Sequence, residues 1–123
     1  MRRSTSRVNR STHPRAPKLL EDIRSAADFV KTATDGLALQ EFKQNRLLRQ
    51  AVERNFEIIG EAMRRLEKDD TAARITDYRR IIAFRNVLIH GYDVIDPAIV
   101  WSAVEVDLAP LLADVQALLN SVG

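Results

Sequence analysis

The sequence predicts an all-α protein, an up-and-down bundle of four or five helices. Three observations carry this. Apolar residues recur at steps of three and four along most of the chain. No stretch alternates as a half-buried strand does. Only four Gly and four Pro among 123 residues leave too few turn formers for an all-β fold. A chain of this length is one domain by size, and its 46% of hydrophobic residues is enough for a core.

Residues 1–17 read as an arm and 18–123 as the helical domain. Met1 to Ala16 is nearly devoid of apolar side chains and rich in Ser, Thr and Arg, so it reads as a disordered basic arm. It is either an extension of no function or a non-specific, salt-dependent phosphate contact. His13 lies in it and is assigned no role. The formal charge of +2 hides an asymmetry. The first 18 residues hold six of the 19 basic residues and none of the 17 acidic ones. The body is therefore mildly acidic, and any nucleic-acid site on it has to be a local basic pocket.

Pro17 suits the first turn of a helix. From there Leu19, Ile23, Ala26, Val30, Ala33 and Leu37 mark one apolar stripe, and Gly36 suits the position just past the helix end. The first helix is expected over 18–35. The second, longest helix is expected to run unbroken from Leu39 or Phe42 to Lys68. Leu48, Val52, Ile59, Met63 and Leu66 form its buried stripe, widened by Leu47, Ala51, Phe56 and Ala62. Gly60 inside it costs about 1 kcal/mol relative to Ala, so a tight helix crossing is expected there. Glu61 is either a solvated helix residue, the simpler reading, or a partner for Arg85.

Asp69-Asp70-Thr71 reads as a break, and Thr76 or Asp77 can cap a third helix over 77–89. Ile81, Phe84 and Leu88 form its apolar row, beside Tyr78, Ile82 and Ile89. Tyr92 to Asp96 is a loop, and Asp96-Pro97 pairs a cap with a first-turn proline. Trp101, Val104, Leu108, Leu111, Val115, Leu118 and Val122 then share a face. Pro110 lies inside that pattern, so a kink or break is expected near Asp107 to Ala109.

The chemistry concentrates in Arg85-Asn86-Val87-Leu88-Ile89-His90-Gly91-Tyr92. Arg presents a planar fork of donors that matches phosphate oxygens. His exchanges a proton near neutrality. The same residues have a structural reading, which residue types alone favour. His90-Gly91 is an ordinary helix ending, Arg85 an ion-pair residue, and Tyr92 a core aromatic with its hydroxyl at the surface. Asn86 and His90, four apart, share a helix face. Arg85 and His90, five apart, sit about 140° around an ideal helix. They meet at one phosphate only if the last turn tightens and Gly91 lets it swing, or if a second copy supplies part of the site.

The pattern Arg85-x4-His90-x-Tyr92, with Asn86 after the Arg, resembles the signature of HEPN-superfamily ribonucleases, specifically HepT-like toxins. Two further stretches resemble the same family. Ala51 to Ala62 is similar to its central helix, and Val100-Trp101 with Asp107-Leu108-Ala109-Pro110-Leu111 to its last. The resemblance covers roughly residues 18 to 120 in the family's order. It implies a four-helix HEPN core with a short additional helix. It also implies a homodimer whose two signatures face each other across one cleft.

What it implies for activity is an endoribonuclease toxin of a type VII-like toxin–antitoxin pair, acting without a metal or other cofactor. Arg85 and His90 would be catalytic and Asn86 supporting, with Glu61 a possible outer partner. The implied partner is a minimal nucleotidyltransferase antitoxin of the MNT type, which adenylylates the Tyr at the position of Tyr92. The rival reading is a non-catalytic HEPN module that dimerises or docks a nucleotidyltransferase, which the acidic body fits slightly better. A DNA-reading helix-turn-helix is set aside, because no short basic recognition helix stands out. No cysteine, carboxylate cluster or His pair at ligand spacing calls for a metal. No apolar run approaches bilayer length and no signal peptide is seen, so a soluble cytoplasmic protein is expected.

Overall fold

Arg15 is the first residue described by the computed structural model, which covers residues 15–68, 70–90 and 95–122. Gly91 and Tyr92 lie outside the described residues, as do Met1 to Pro14. The order is α1 (Ala16–Thr34), α2 (Leu39–Gln44), α3 (Arg46–Leu66), a single 3₁₀ turn (Ala72–Arg74), α4 (Tyr78–His90), α5 (Pro97–Ser102) and α6 (Leu108–Val122). The described residues contain no strand. The bundle is all-α, with α3 packed between α1 and α4, and α6 closing against α1. No helix among the described residues is long and apolar enough to cross a membrane.

The three-four spacing of α1 buries Leu19, Ile23, Ala26 and Val30, and Leu20 and Ala27 widen the stripe at no exposure. Gly36 ends the helix with φ +76 and nothing within contact of a would-be Cβ. Glycine reaches that left-handed conformation without strain. The amide of Leu37 then donates to the carbonyl of Thr34 at 3.1 Å.

The second helix is not continuous. Asn45 adopts an extended conformation (φ −109, ψ 93), and its side-chain oxygen accepts from the amide of Leu48 at 3.0 Å, capping α3. Six residues are split off as α2. The turn brings Phe42, fully buried, to 5.1 Å from the ring of Trp101. Burying such a ring contributes about 1.5–3 kcal/mol, an anchor a straight helix would not place there. Of the expected stripe of α3, Val52, Phe56, Ile59, Ala62, Met63 and Leu66 are buried, while Leu48 and Ala51 are only half-buried. Leu47 is not part of it, being 81% exposed in the first turn after the break.

α4 starts after Asp77, which takes φ +56, a conformation Asp tolerates better than most. The carbonyl of Asp77 accepts the first helical amides, from Arg80 and Ile81. Thr76 is not seen as a side-chain cap; its amide instead donates to the Asp114 carboxylate at 2.8 Å, tying this turn to α6. Asp96 caps α5 through the amide of Ala98, with Pro97 next. The break expected at Asp107 to Ala109 takes a different form. Residues Ala103–Asp107 widen into a π turn and the helix continues through Pro110. A π turn absorbs the missing amide and the steric demand of proline without ending the helix.

A candidate active-site cleft on the α3–α4 face

Gly60 governs how α3 meets α4. A Cβ built on it would stand 2.3 Å from the Cβ of Arg85 and 3.0 Å and 3.1 Å from its next two carbons. No real side chain fits such a gap, so the two helices cross here because residue 60 lacks one. The tight crossing expected from a mid-helix glycine is found, and its partner is Arg85. One helical step along, the Arg85 guanidinium reaches the Glu61 carboxylate at 3.2 Å. Phe56 and Phe84 meet edge-on at 5.3 Å beside this crossing and fix the helix spacing.

Glu61 is no isolated surface acid. Arg64 and Arg65 both bond it at 3.0 Å, besides Arg85. The structure thus makes the Arg85 pair that sequence spacing left open. Bonding from Arg64, with Arg65 and Arg85 adding to it, lowers the Glu61 pKa from 4.5 to about 2. The folded carboxyl is the stronger acid, so its stabilisation is present above pH 4.5 and lost as pH falls toward 2. The stability difference between the native chain and Glu61→Gln is expected to shrink steadily on acidification from pH 5 to 2, read by urea titration. A difference that stays constant across that window would contradict the assignment.

Arg85 lines a cleft of about 300 Å3 between α1, α3 and α4. Its side chain is 21% exposed, so the stem is packed while the guanidinium reaches solvent. Asn86 is exposed, and its oxygen accepts from Arg85 at 3.3 Å rather than orienting His90. α3 supplies the floor through Arg54, Glu57, Ile58, Glu61 and Arg65, residues three or four apart on one face. α1 adds Asp22 and α4 adds Ile89. The motif reading passed over Arg54, Glu57 and Arg65. Their spacing signals one shared face, but nothing local signals that Arg85 shares it.

His90 is the last residue of α4 and is exposed. It is not among the residues lining the Arg85 cleft. α4 stays regular through His90, so the last turn does not tighten to bring the imidazole round. Val87 lies between Arg85 and His90 in sequence and is 51% exposed, while Ile89 is 39% exposed. A second hollow of about 450 Å3 follows this side of α4, formed with α5 by Val87, Ala83, Phe84, Ala98 and Ile99. The Arg80–Asp107 ion pair, 3.3 Å, joins α4 to the π turn at this hollow. Among the described residues no group of three or more His, Asp or Glu is placed to hold a metal ion.

The bundle and this cleft define an all-α protein with an arginine presented at a groove between α1, α3 and α4. Comparison with known proteins is consistent with that class. A family model described as ribonuclease HepT-like matches residues 23–118, and the chain belongs to the HepT-like family. A Methanocaldococcus jannaschii protein named "Putative RNase MJ1380" is 34% identical over 98 residues, spanning 79% of this chain and 90% of that protein. A Thermococcus cleftensis protein named "Probable ribonuclease HepT" is 30% identical over 93 residues, 75% of this chain and 84% of that protein. "Putative RNase TTE0752" of Caldanaerobacter subterraneus is 28% identical over 103 residues, 82% and 91% respectively. No solved structure matches the chain.

Proposed function

We propose that this protein is an endoribonuclease whose site is completed by a second copy of the chain. The observation that carries the reading is the presentation of Arg85. The Gly60 contact clamps its stem, Glu61 and Asn86 each hold one terminal nitrogen of the guanidinium, and the side chain lines an open groove. A guanidinium so held is prepared for the charge that gathers on a phosphate during attack. Family membership and the ribonuclease names of its relatives support the same reading.

In the mechanism, a ribose 2′-oxygen attacks the adjacent phosphorus and the 5′-oxygen leaves, giving a 2′,3′-cyclic phosphate and a 5′-hydroxyl. His90 takes the 2′-hydroxyl proton or supplies the one that the leaving oxygen needs. Arg85 balances the phosphorane oxygens. Because His90 does not line its own Arg85 cleft, the imidazole comes from the partner copy, with α4 at the shared seam. The exposed Val87, Ile89 and Ile99 are the apolar surface such a dimer would cover. Cleavage by this route uses only protein groups.

The protein would be the toxin of a type VII-like pair, silenced by an MNT-type nucleotidyltransferase that adenylylates Tyr92. A bulky anion two residues past His90 would block the seam and offset Arg85. The balanced charge of the cleft also fits the non-catalytic dimerisation module, so the test must separate the two. Purified protein is incubated with an oligonucleotide carrying one ribose, in the presence of a chelator. The expected result is a cyclic phosphate at that ribose, with no cut when the 2′-oxygen is methylated. After incubation with the transferase and ATP, the peptide holding Tyr92 should gain the mass of AMP and the cutting should stop. An intact ribose oligonucleotide would leave the interaction module standing.

A further inference from the structure

We propose that Glu57 selects RNA over DNA by accepting a hydrogen bond from a ribose 2′-hydroxyl held in the Arg85 cleft. The proposal rests on the ribonuclease reading and adds to it a residue that decides which sugar is bound. The ribose concerned is next to the one whose 2′-oxygen attacks, so Glu57 takes no part in the proton transfers assigned to His90.

The described lining of the cleft divides into donors and acceptors. Arg54, Arg65 and Arg85 present guanidiniums, and Asp22, Glu57 and Glu61 present carboxylates. A carboxylate repels a phosphate but accepts from a hydroxyl, so the mixture matches a sugar–phosphate chain better than a run of bare phosphates. The three acids are not equally free. Glu61 is taken at both oxygens by Arg64, Arg65 and Arg85. Asp22, on the α1 wall, is held by Lys18 at 2.6 Å. Glu57 is 26% exposed and meets the more exposed Arg54 through Oε1, at 3.2 Å. Among the described residues nothing bonds its Oε2. That oxygen is an acceptor in the lining of the groove, open to a donor that arrives with a ligand.

Position says which donor. Glu57 and Glu61 are one turn apart on the same face of α3, about 6 Å along its axis. Glu61 bonds Arg85, so a phosphate at that guanidinium leaves the adjoining sugar over Glu57. Ile58 and Ala62, the other α3 residues between them and beyond, line the cleft with carbon and cannot take a hydroxyl. A deoxyribose would leave the Glu57 acceptor unmatched.

Binding to a chain that cannot cut tests this. In the His90→Ala background, fluorescence anisotropy would follow a single-stranded RNA of about eight nucleotides and a DNA of the same base sequence, uracil included. RNA should bind about tenfold more tightly, the lower end for one hydrogen bond to a charged group. Adding Glu57→Leu should abolish that preference by weakening RNA while DNA holds or gains, and circular dichroism confirms the fold. Glu57→Gln, which keeps a neutral acceptor, should retain part of it. Arg54→Ala breaks the same ion pair but spares the acceptor, so it should weaken both nucleic acids and leave their ratio unchanged. A ratio that survives Glu57→Leu would overturn the proposal. So would equal losses, the mark of a base contact or a structural role, equal gains, the mark of bare charge repulsion, or no binding of either nucleic acid. Cutting is not read here, so a native chain that fails to cleave RNA sinks the ribonuclease reading and leaves this ratio to decide separately.

Discussion

Replacing His90 with Ala is expected to lower RNA cleavage by about 10²–10⁴, the contribution of a positioned general acid or base. Stability should move by less than about 0.5 kcal/mol, because His90 is exposed at the end of α4. Arg85→Ala is expected to cost about 10²–10³ in rate, the loss of one preorganised donor to a developing oxyanion. In that variant Glu61 keeps its bonds to Arg64 and Arg65, so the surface of α3 stays ordered. Single-turnover cleavage with saturating enzyme isolates the chemical step from binding. Losses confined to affinity in both variants would remove these residues from the chemistry and return them to their structural readings.

Gly60→Ala should be the most damaging change that touches no proposed catalytic group. Helix propensity alone would favour Ala by about 1 kcal/mol. The added methyl, however, meets the Arg85 Cβ at 2.3 Å, where the neighbour is not the free end of a side chain. α3 and α4 must separate, at an overpacking cost of about 1–3 kcal/mol. The rate should suffer more than the stability. A displacement of about 1 Å in a positioned group costs on the order of 10² in rate, and the separation moves Arg85 directly. Arg85→Ala in the same chain would not relieve the clash, because the nearest atom is the Cβ that Ala retains. Arg85→Gly should relieve it, recovering stability but not activity. Native-like rate and stability in Gly60→Ala would mean that the helices have slack here, against the close crossing described.

Much of this arrangement was readable from residue order, for a definite reason. Helix faces repeat every three or four positions, so the stripes of α1, α3 and α6 and the cap at Asp96 follow from local chemistry. Gly60 announced a close approach, since a mid-helix glycine is costly without one. The break at Asn45 was missed although its cap chemistry was present, because apolar spacing carries across it and Leu47 fits the stripe it does not join. The π turn was expected as a kink, since proline signals a disturbance but not the form it takes. Pairings across the bundle were not legible. Glu61 and Arg85 are 24 residues apart, and Glu57 and Arg85 28 apart; only the antiparallel packing of α3 and α4 brings each pair to one surface.

Tyr92 and the arm before Arg15 lie outside the described residues, so the structure adds nothing to their readings. For Arg85 and His90, about 140° apart on an ideal helix, the sequence left two routes to one phosphate, a tightened last turn or a second copy. α4 runs regularly to His90, and His90 does not line the cleft that Arg85 lines, which is why the proposed site draws on a second copy.

That composite arrangement can be tested by mixing two inactive proteins. Arg85→Ala and His90→Ala chains, co-refolded at equal amounts, form mixed dimers in which one seam keeps an intact Arg85 opposite an intact His90. Random pairing should restore roughly a quarter of the native cleavage rate, because half of the dimers are mixed and each has one working site of two. If mixed dimers are present by native mass spectrometry and cleavage stays at the level of either variant alone, each chain holds its own complete site and the shared seam is wrong.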